Sequence, residues 1–222
     1  MELQDRKNMA FAAFRRHMQD MAFESGQVRS VKDRATISFS DGSRALLIMS
    51  TVKGGFGKGE FGVYPSLCIY GGPIYRIMKD TRLEGGSTYS EDMIFAGSYH
   101  SLVPRRSDVY AFRASADVEA VVTTMMRDVR RFFVPIVQQF AGKYGEAVDF
   151  ILSHEGAHVR KPFAMCVILL GLANAFDRLD EVVAEAKKNK GFWDFHKTKN
   201  YESIVQRIRK WFEKNKGRTG PS

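Results

Sequence analysis

The apolar positions change period partway along the chain. Phe11, Phe14, Met18 and Met21 recur every three or four residues, with Arg15, Arg16 and Asp20 mostly off that stripe. This predicts an amphipathic helix over 3–25. Gly26 is its expected stop, because glycine readily takes the left-handed conformation that ends helices. Alternation then replaces the helical period. Residues 35–39 read as a strand, Asp41-Gly42 as a tight turn and 45–52 as the returning strand. A third strand follows over 61–70, where Pro65 marks an edge or a bulge. Residues 73–80 suit a short helix, and 93–103 and 108–113 read as two further strands.

The helical period returns over 116–141. Val118, Val121, Val122, Met125, Val129, Phe132, Phe133, Ile136 and Phe140 keep one apolar face there. Pro135 should bend this helix, since it cannot donate to residue 131 and crowds the preceding turn. Further helices are expected over 146–153, over 163–173 with Pro162 in the first turn, over 176–186 and over 201–214. In the last, Tyr201, Ile204, Val205, Ile208, Trp211 and Phe212 share one side. Strands grouped first and helices grouped after predict an α+β fold. Its antiparallel sheet packs against long amphipathic helices, and its C-terminal region is helical. The expected organisation is an α+β domain over 1–145, a helical extension over 146–216 packed on it, and a disordered tail over 217–222.

With 44% apolar residues in 222, a sizeable core is expected. The longest apolar run, 163–173, is too short to cross a bilayer and reads as a buried helix. Acidic residues at the start, Glu2 and Asp5, do not suit a secretory leader, so a cytoplasmic location is expected. Cys68 and Cys166 lie among apolar residues and read as core positions.

Charge changes the picture more. The net charge is +9, but residues 187–218 hold eleven Lys or Arg against Asp194, Glu202 and Glu213. The chain is a nearly neutral body with a basic C-terminal segment. Lys187, Lys188, Lys190, Arg207, Lys210 and Lys214 are the candidate partner-binding residues, attracting an acidic protein ahead of a nucleic acid. Phe192, Trp193, Phe195, Tyr201, Trp211 and Phe212 intersperse the charges, which are also the ingredients of single-strand or RNA binding. Several of these aromatics compete for the apolar face of the last helix.

Two short motifs carry candidate chemistry. Gly57-Lys58-Gly59-Glu60-Phe61-Gly62 spells Gly-x-Gly-x-x-Gly, but dinucleotide binding needs a helix after it. A strand is expected here, so the segment reads as a hairpin loop. His154-Glu155-Gly156-Ala157-His158 resembles the zinc signature of the zincin metallopeptidases. That resemblance implies zinc held by His154 and His158 on one helical face, with Glu181 or Glu185 as third ligand. Glu155 would polarise the metal-bound water. The other reading is a helix C-terminus whose histidines lie near the last carbonyls.

The layout as a whole combines a leading helix, a strand meander with a glycine-rich hairpin over 44–70, a long helix over 115–141 and a helical pair containing Leu169-Leu170-Gly171. It resembles an uncharacterised bacterial family of small α+β domains found among immunity-type proteins. The resemblance implies a non-enzymatic protein that acts by protein–protein contact and needs no cofactor. A zinc-dependent hydrolase and a nucleic-acid-binding protein stand as the alternatives.

Overall fold

Alternating segments fold as strands and helical-period segments as helices in a computed structural model that describes residues 2–52, 54–84, 92–103, 109–198 and 200–216. The strands are β1 (Gly26–Val31), β2 (Arg34–Phe39), β3 (Ser43–Val52), β4 (Phe61–Gly71), β5 (Met93–Ser98) and β6 (Tyr110–Phe112). They form one antiparallel sheet in the order β1-β2-β3-β4-β5, with β6 also pairing β4. The helices are α1 (Leu3–Gln19), α2 (Gly72–Asp80), α3 (Tyr99–Leu102), α4 (Val118–Asp128), α5 (Val134–Phe140), α6 (Tyr144–Ser153), α7 (Pro162–Leu172), α8 (Leu179–Lys188), α9 (Trp193–Lys197) and α10 (Glu202–Lys214). The fold is α+β, as the grouping of elements predicts. Among the described residues no helix is long and apolar enough to cross a membrane.

The chain divides into two compact units, Met1–Ile69 with Ala96–Gln138, and Tyr70–Phe95 with Gln139–Ser222. The second therefore joins residues 70–95 to the C-terminal helices, although the sequence reading assigned them to the α+β part. The tail over 217–222 lies outside the described residues.

In the first unit α1 lies against β1, β2 and α4, and α4 against β6. Phe14 and Met18 on α1, Ile37 on β2 and Val122 and Met125 on α4 are buried. Phe61 and Phe112 stack across the β4–β6 pair at 4.5 Å. The expected helix over 3–25 ends at Gln19, and Gly26 opens β1 instead of closing a helix. A Cβ on Gly26 would sit 2.9 Å from both Ile37 Cγ2 and Phe23 Cβ, so close packing selects the glycine. The expected strand over 93–103 stops at Ser98, where Ser98 and Ser101 form a capping box that starts α3. Pro65 stands in an interior strand rather than at an edge, since β4 pairs with β3, β5 and β6.

The long helix over 116–141 is interrupted by a π-helical turn, Val129–Phe133, in which Val134 N–H donates to Val129 O. Such a widened turn accommodates Pro135, which lacks an N–H and would crowd a regular α-turn. Its register buries Phe133, 1% exposed, and leaves Phe132 only half-buried beneath Arg131.

The second unit is built around α7. Every residue from Pro162 to Gly171 is buried, and α2, α6, α8, α9 and α10 all touch this helix. A helix apolar on all sides is stable only when surrounded, at roughly 1.5–3 kcal/mol for each large side chain removed from water. Gly171 brings one neighbour closer still, because a Cβ there would meet the Phe212 ring at 2.1 Å.

Candidate functional site

The His-Glu-x-x-His residues do not share a helix. α6 ends at Ser153 and His154 caps it, after which Glu155, Gly156 and His158 take φ values of 56°, 73° and 69°. These left-handed residues fold the motif into a turn between α6 and α7. Gly156 belongs to that turn, where a Cβ would meet Pro162 Cβ at 2.9 Å. His154 Nδ1 donates to Phe150 O at 2.9 Å, the terminal-carbonyl bond expected of a helix-end histidine. Its ring stacks on Phe150 at 4.1 Å and stands edge-on to His158 at 6.3 Å. Glu181 gives both carboxylate oxygens to Arg178, at 2.9 and 3.1 Å. Among the described residues no three His, Cys, Asp or Glu side chains gather as a metal site. The residues present thus do not fit the zincin arrangement, and the reason is local: Gly156 and the left-handed turn end the helix that would align the ligands.

Residues 57–60 form a hairpin loop that leads into β4, whose first residues are Phe61 and Gly62. Glu60 closes it by accepting from Gly57 N at 3.1 Å and from Ala114 N at 3.0 Å. Those amide bonds, Ala114 first, hold the Glu60 carboxyl below the usual carboxylate range.

The basic C-terminal residues are surface groups. Lys187 and Lys188 end α8, Lys190 follows it, and Lys210 and Lys214 lie on α10, all exposed. None of the five makes an ion pair among the described residues. Arg207, also on α10, belongs to a different setting. Its Nη1 donates to Thr81 O and its Nε to Ser203 O, each at 3.3 Å.

Arg207 lines a hollow of about 180 Å³ together with Arg82, Lys161 and Lys197. Three local devices bring these cations together. At the end of α2, Arg82 N donates to Lys79 O and Leu83 N to Met78 O, the double bond of a Schellman ending. Arg82 occupies the left-handed position, φ 56°, that glycine usually takes. Lys161 precedes Pro162 at the start of α7 and is also left-handed, φ 48°. Lys197 ends α9 and lies over the Trp193 ring at 5.2 Å. Leu83, Ala164 and Ile204, all buried, supply an apolar floor.

The carboxylate lining the hollow is Asp194, 5% exposed. It accepts from Phe163 N and Ala164 N at 3.0 Å each, so it caps α7 from another helix. Burial, outweighing these amides, pushes its pKa up. Burial likewise pulls the Lys161 ammonium down, more strongly than Asp194 and Glu84 raise it, and Arg160 and Arg207 add to the lowering. Each member of this pair is therefore driven towards neutrality. The hollow holds more positive charge than its own carboxylate compensates.

The first unit also has a hollow, about 360 Å³, lined by Gln4, Asn8, Phe11, Arg15, Lys32 and Asp33. Its charges are mixed and its amides pair, Gln4 with Asn8 at 3.0 Å.

Of the residues expected at the site, only Arg207 reaches the cationic hollow. Arg82, Lys161, Lys197 and Asp194 were missed. Local signals existed for two of them: a basic residue closing α2 where glycine is usual, and a lysine directly before the proline that opens α7. Asp194 gives none, because it caps a helix thirty residues away. Comparison with protein-family models, curated proteins and solved structures finds no match for this chain.

Proposed function

We propose that this chain is a non-enzymatic binding protein, of the immunity or antitoxin kind its layout resembles, which holds an acidic protein partner on the cationic surface of its helical unit. The observation that carries this reading is the hollow of Arg82, Lys161, Lys197 and Arg207, whose carboxylate is committed to capping α7. Exposed lysines on α8 and α10, without an ion pair among the described residues, extend the same sign of charge over that unit. A partner with complementary charge gains association rate and register from such a surface.

The disposition of the aromatics supports a protein over a nucleic acid. Base stacking needs exposed rings, yet Phe192 is fully buried and Phe195 packs between Phe163 and Tyr201, at 5.1 and 4.9 Å. Trp211 Nε1 donates to Asp80 Oδ2 at 2.9 Å, and Phe212 fills the space over Gly171. Titration with random single- and double-stranded DNA and RNA, at low and at physiological salt, tests the reading. Only weak binding is expected, lost as counterions compete and reduced when Lys187, Lys188 and Lys190 become alanine. Tight binding at physiological salt to any of these nucleic acids would overturn the proposal.

A further inference from the structure

Resting on that reading, we infer that the hollow bounded by Arg82, Lys161, Lys197 and Arg207 is the anchor for one acidic side chain of the partner, a glutamate that enters carboxylate first, its methylenes lying against Leu83 and Ile204 and its carboxylate among the four cations. Three observations lead there. The first is size. At about 180 Å³ the hollow is smaller than the roughly 300–1,000 Å³ of ordinary small-molecule sites, so it suits a side-chain head and not a nucleotide or a cofactor. The second is its mixed lining. Buried Leu83, Ala164 and Ile204 give an apolar floor for methylene groups, and two guanidiniums and two ammoniums stand around it. A bare phosphate would use the charges and waste the floor. A glutamate side chain uses both.

The third observation is that the cations are held there against local preference. Arg82 and Lys161 both adopt left-handed backbone, where a side chain is disfavoured and glycine is not. Arg207 is tied to the carbonyl of Thr81, the residue before Arg82, which holds its guanidinium at the end of α2. Asp194, the carboxylate that lines the hollow, accepts from the α7 amides with both its oxygens, and its single charge is set against four cations. The lysines at 187, 188 and 190 do not line the hollow, and on this account they contribute long-range attraction and no anchoring.

Trp193 lies in the wall of the hollow beneath Lys197 and reports on its filling. Tetraglutamate is titrated into the full chain at fixed ionic strength, following the Trp193 indole resonance, with inorganic phosphate as the parallel probe. Tetraglutamate should shift that resonance saturably. Arg82→Gly should weaken binding about tenfold, the loss of one charge-assisted hydrogen bond, and Lys161→Gln with Arg207→Gln should abolish the shift. Alanine at 187, 188 and 190 should leave the affinity within about twofold at high salt. Because Arg207 also holds Thr81, Arg82→Gly provides the variant whose side chain has no hydrogen bond or ion pair to lose among the described residues. The anchor is overturned if tetraglutamate binds without moving Trp193, or binds the hollow variants as well as the wild type; the acidic-partner reading would then survive on the exposed lysines. It is overturned equally if phosphate shifts Trp193 saturably and displaces tetraglutamate, which would make the hollow a small-anion site. Tight nucleic-acid binding with no response to tetraglutamate would sink the reading and the anchor together.

Discussion

Two buried aspartates show how differently the two units use charge. Asp128, in the first unit, stands where the π-turn begins and accepts from Tyr110 Oη at 2.5 Å. Burial, followed by this bond, pushes the Tyr110 phenol well up. Asp194, in the second, accepts from two amides at the start of α7 and faces a hollow of cations. The surroundings follow suit. In the first unit two exposed arginines are matched, Arg16 with Glu119 at 2.6 Å and Arg113 with Glu60 at 3.4 Å. In the second, Arg178 is matched by Asp149 and Glu181, but the lysines of α8 and α10 are not. At Asp128 a buried charge closes the structure. At Asp194 one carboxylate faces four cations, and uncompensated charge of one sign attracts a partner of the other.

The largest expected effect lies in the first unit. The π-turn that follows Asp128 sets Phe133 inward and Phe132 at the boundary. Phe133→Ala should therefore cost about 3–5 kcal/mol in urea unfolding, and Phe132→Ala no more than about 1–2 kcal/mol. Equal costs would mean the helix runs through without changing register.

The aspartates themselves come next. Asp194→Ala leaves the Phe163 and Ala164 amides without their acceptor and should cost about 1–3 kcal/mol. Tyr110→Phe takes one donor from buried Asp128 and should fall in the same range of about 1–3 kcal/mol. The two are distinguished by what else changes. Asp194→Ala raises the net positive charge of the hollow and should strengthen tetraglutamate binding, whereas Tyr110→Phe should leave it unaltered. Unfolding curves with parallel titrations would show both.

A pH experiment sharpens the comparison. Burial holds the folded pKa of Asp194 above its ordinary 3.8. Its protonated form is thus favoured by folding, and ionisation opposes the fold. The associated stability is fully present below the unfolded value and is lost as pH rises through the folded one. Relative to Asp194→Asn, the wild type should gain stability as pH falls through that window. A difference that stays flat, or runs the other way, would show that the amides and cations outweigh burial.

Much of the fold was legible because periodicity reports burial on one face. The hairpin at Asp41-Gly42, the long strands β3 and β4 and the helices α8 and α10 carry that signal, and α7 is marked instead by an unbroken apolar run. β1 was lost because an edge strand with the sequence Gly-Gln-Val-Arg-Ser-Val is only half covered and alternates weakly. The helix continuation to residue 25 was misread because Met21 and Phe23 are buried without being helical. At the site, composition located the basic segment but not the hollow. The hollow is assembled from α2, α7, α9 and α10, and no spacing along the chain encodes an encounter among four elements. The His-Glu-x-x-His match failed for the opposite reason. The letters were right, but Gly156 and its left-handed neighbours made a turn of them.

The smallest effect is also the most direct test. The account holds that Arg82 is kept at the left-handed end of α2 for its guanidinium and at the expense of the fold. Arg82→Gly, measured for unfolding and for tetraglutamate affinity on the same preparation, separates the two. The predicted result is a protein more stable by about 1 kcal/mol, from relief of the left-handed backbone, that binds tetraglutamate more weakly. A variant less stable than wild type with unchanged affinity would contradict the account, placing Arg82 in the structure of α2 and not at a binding site.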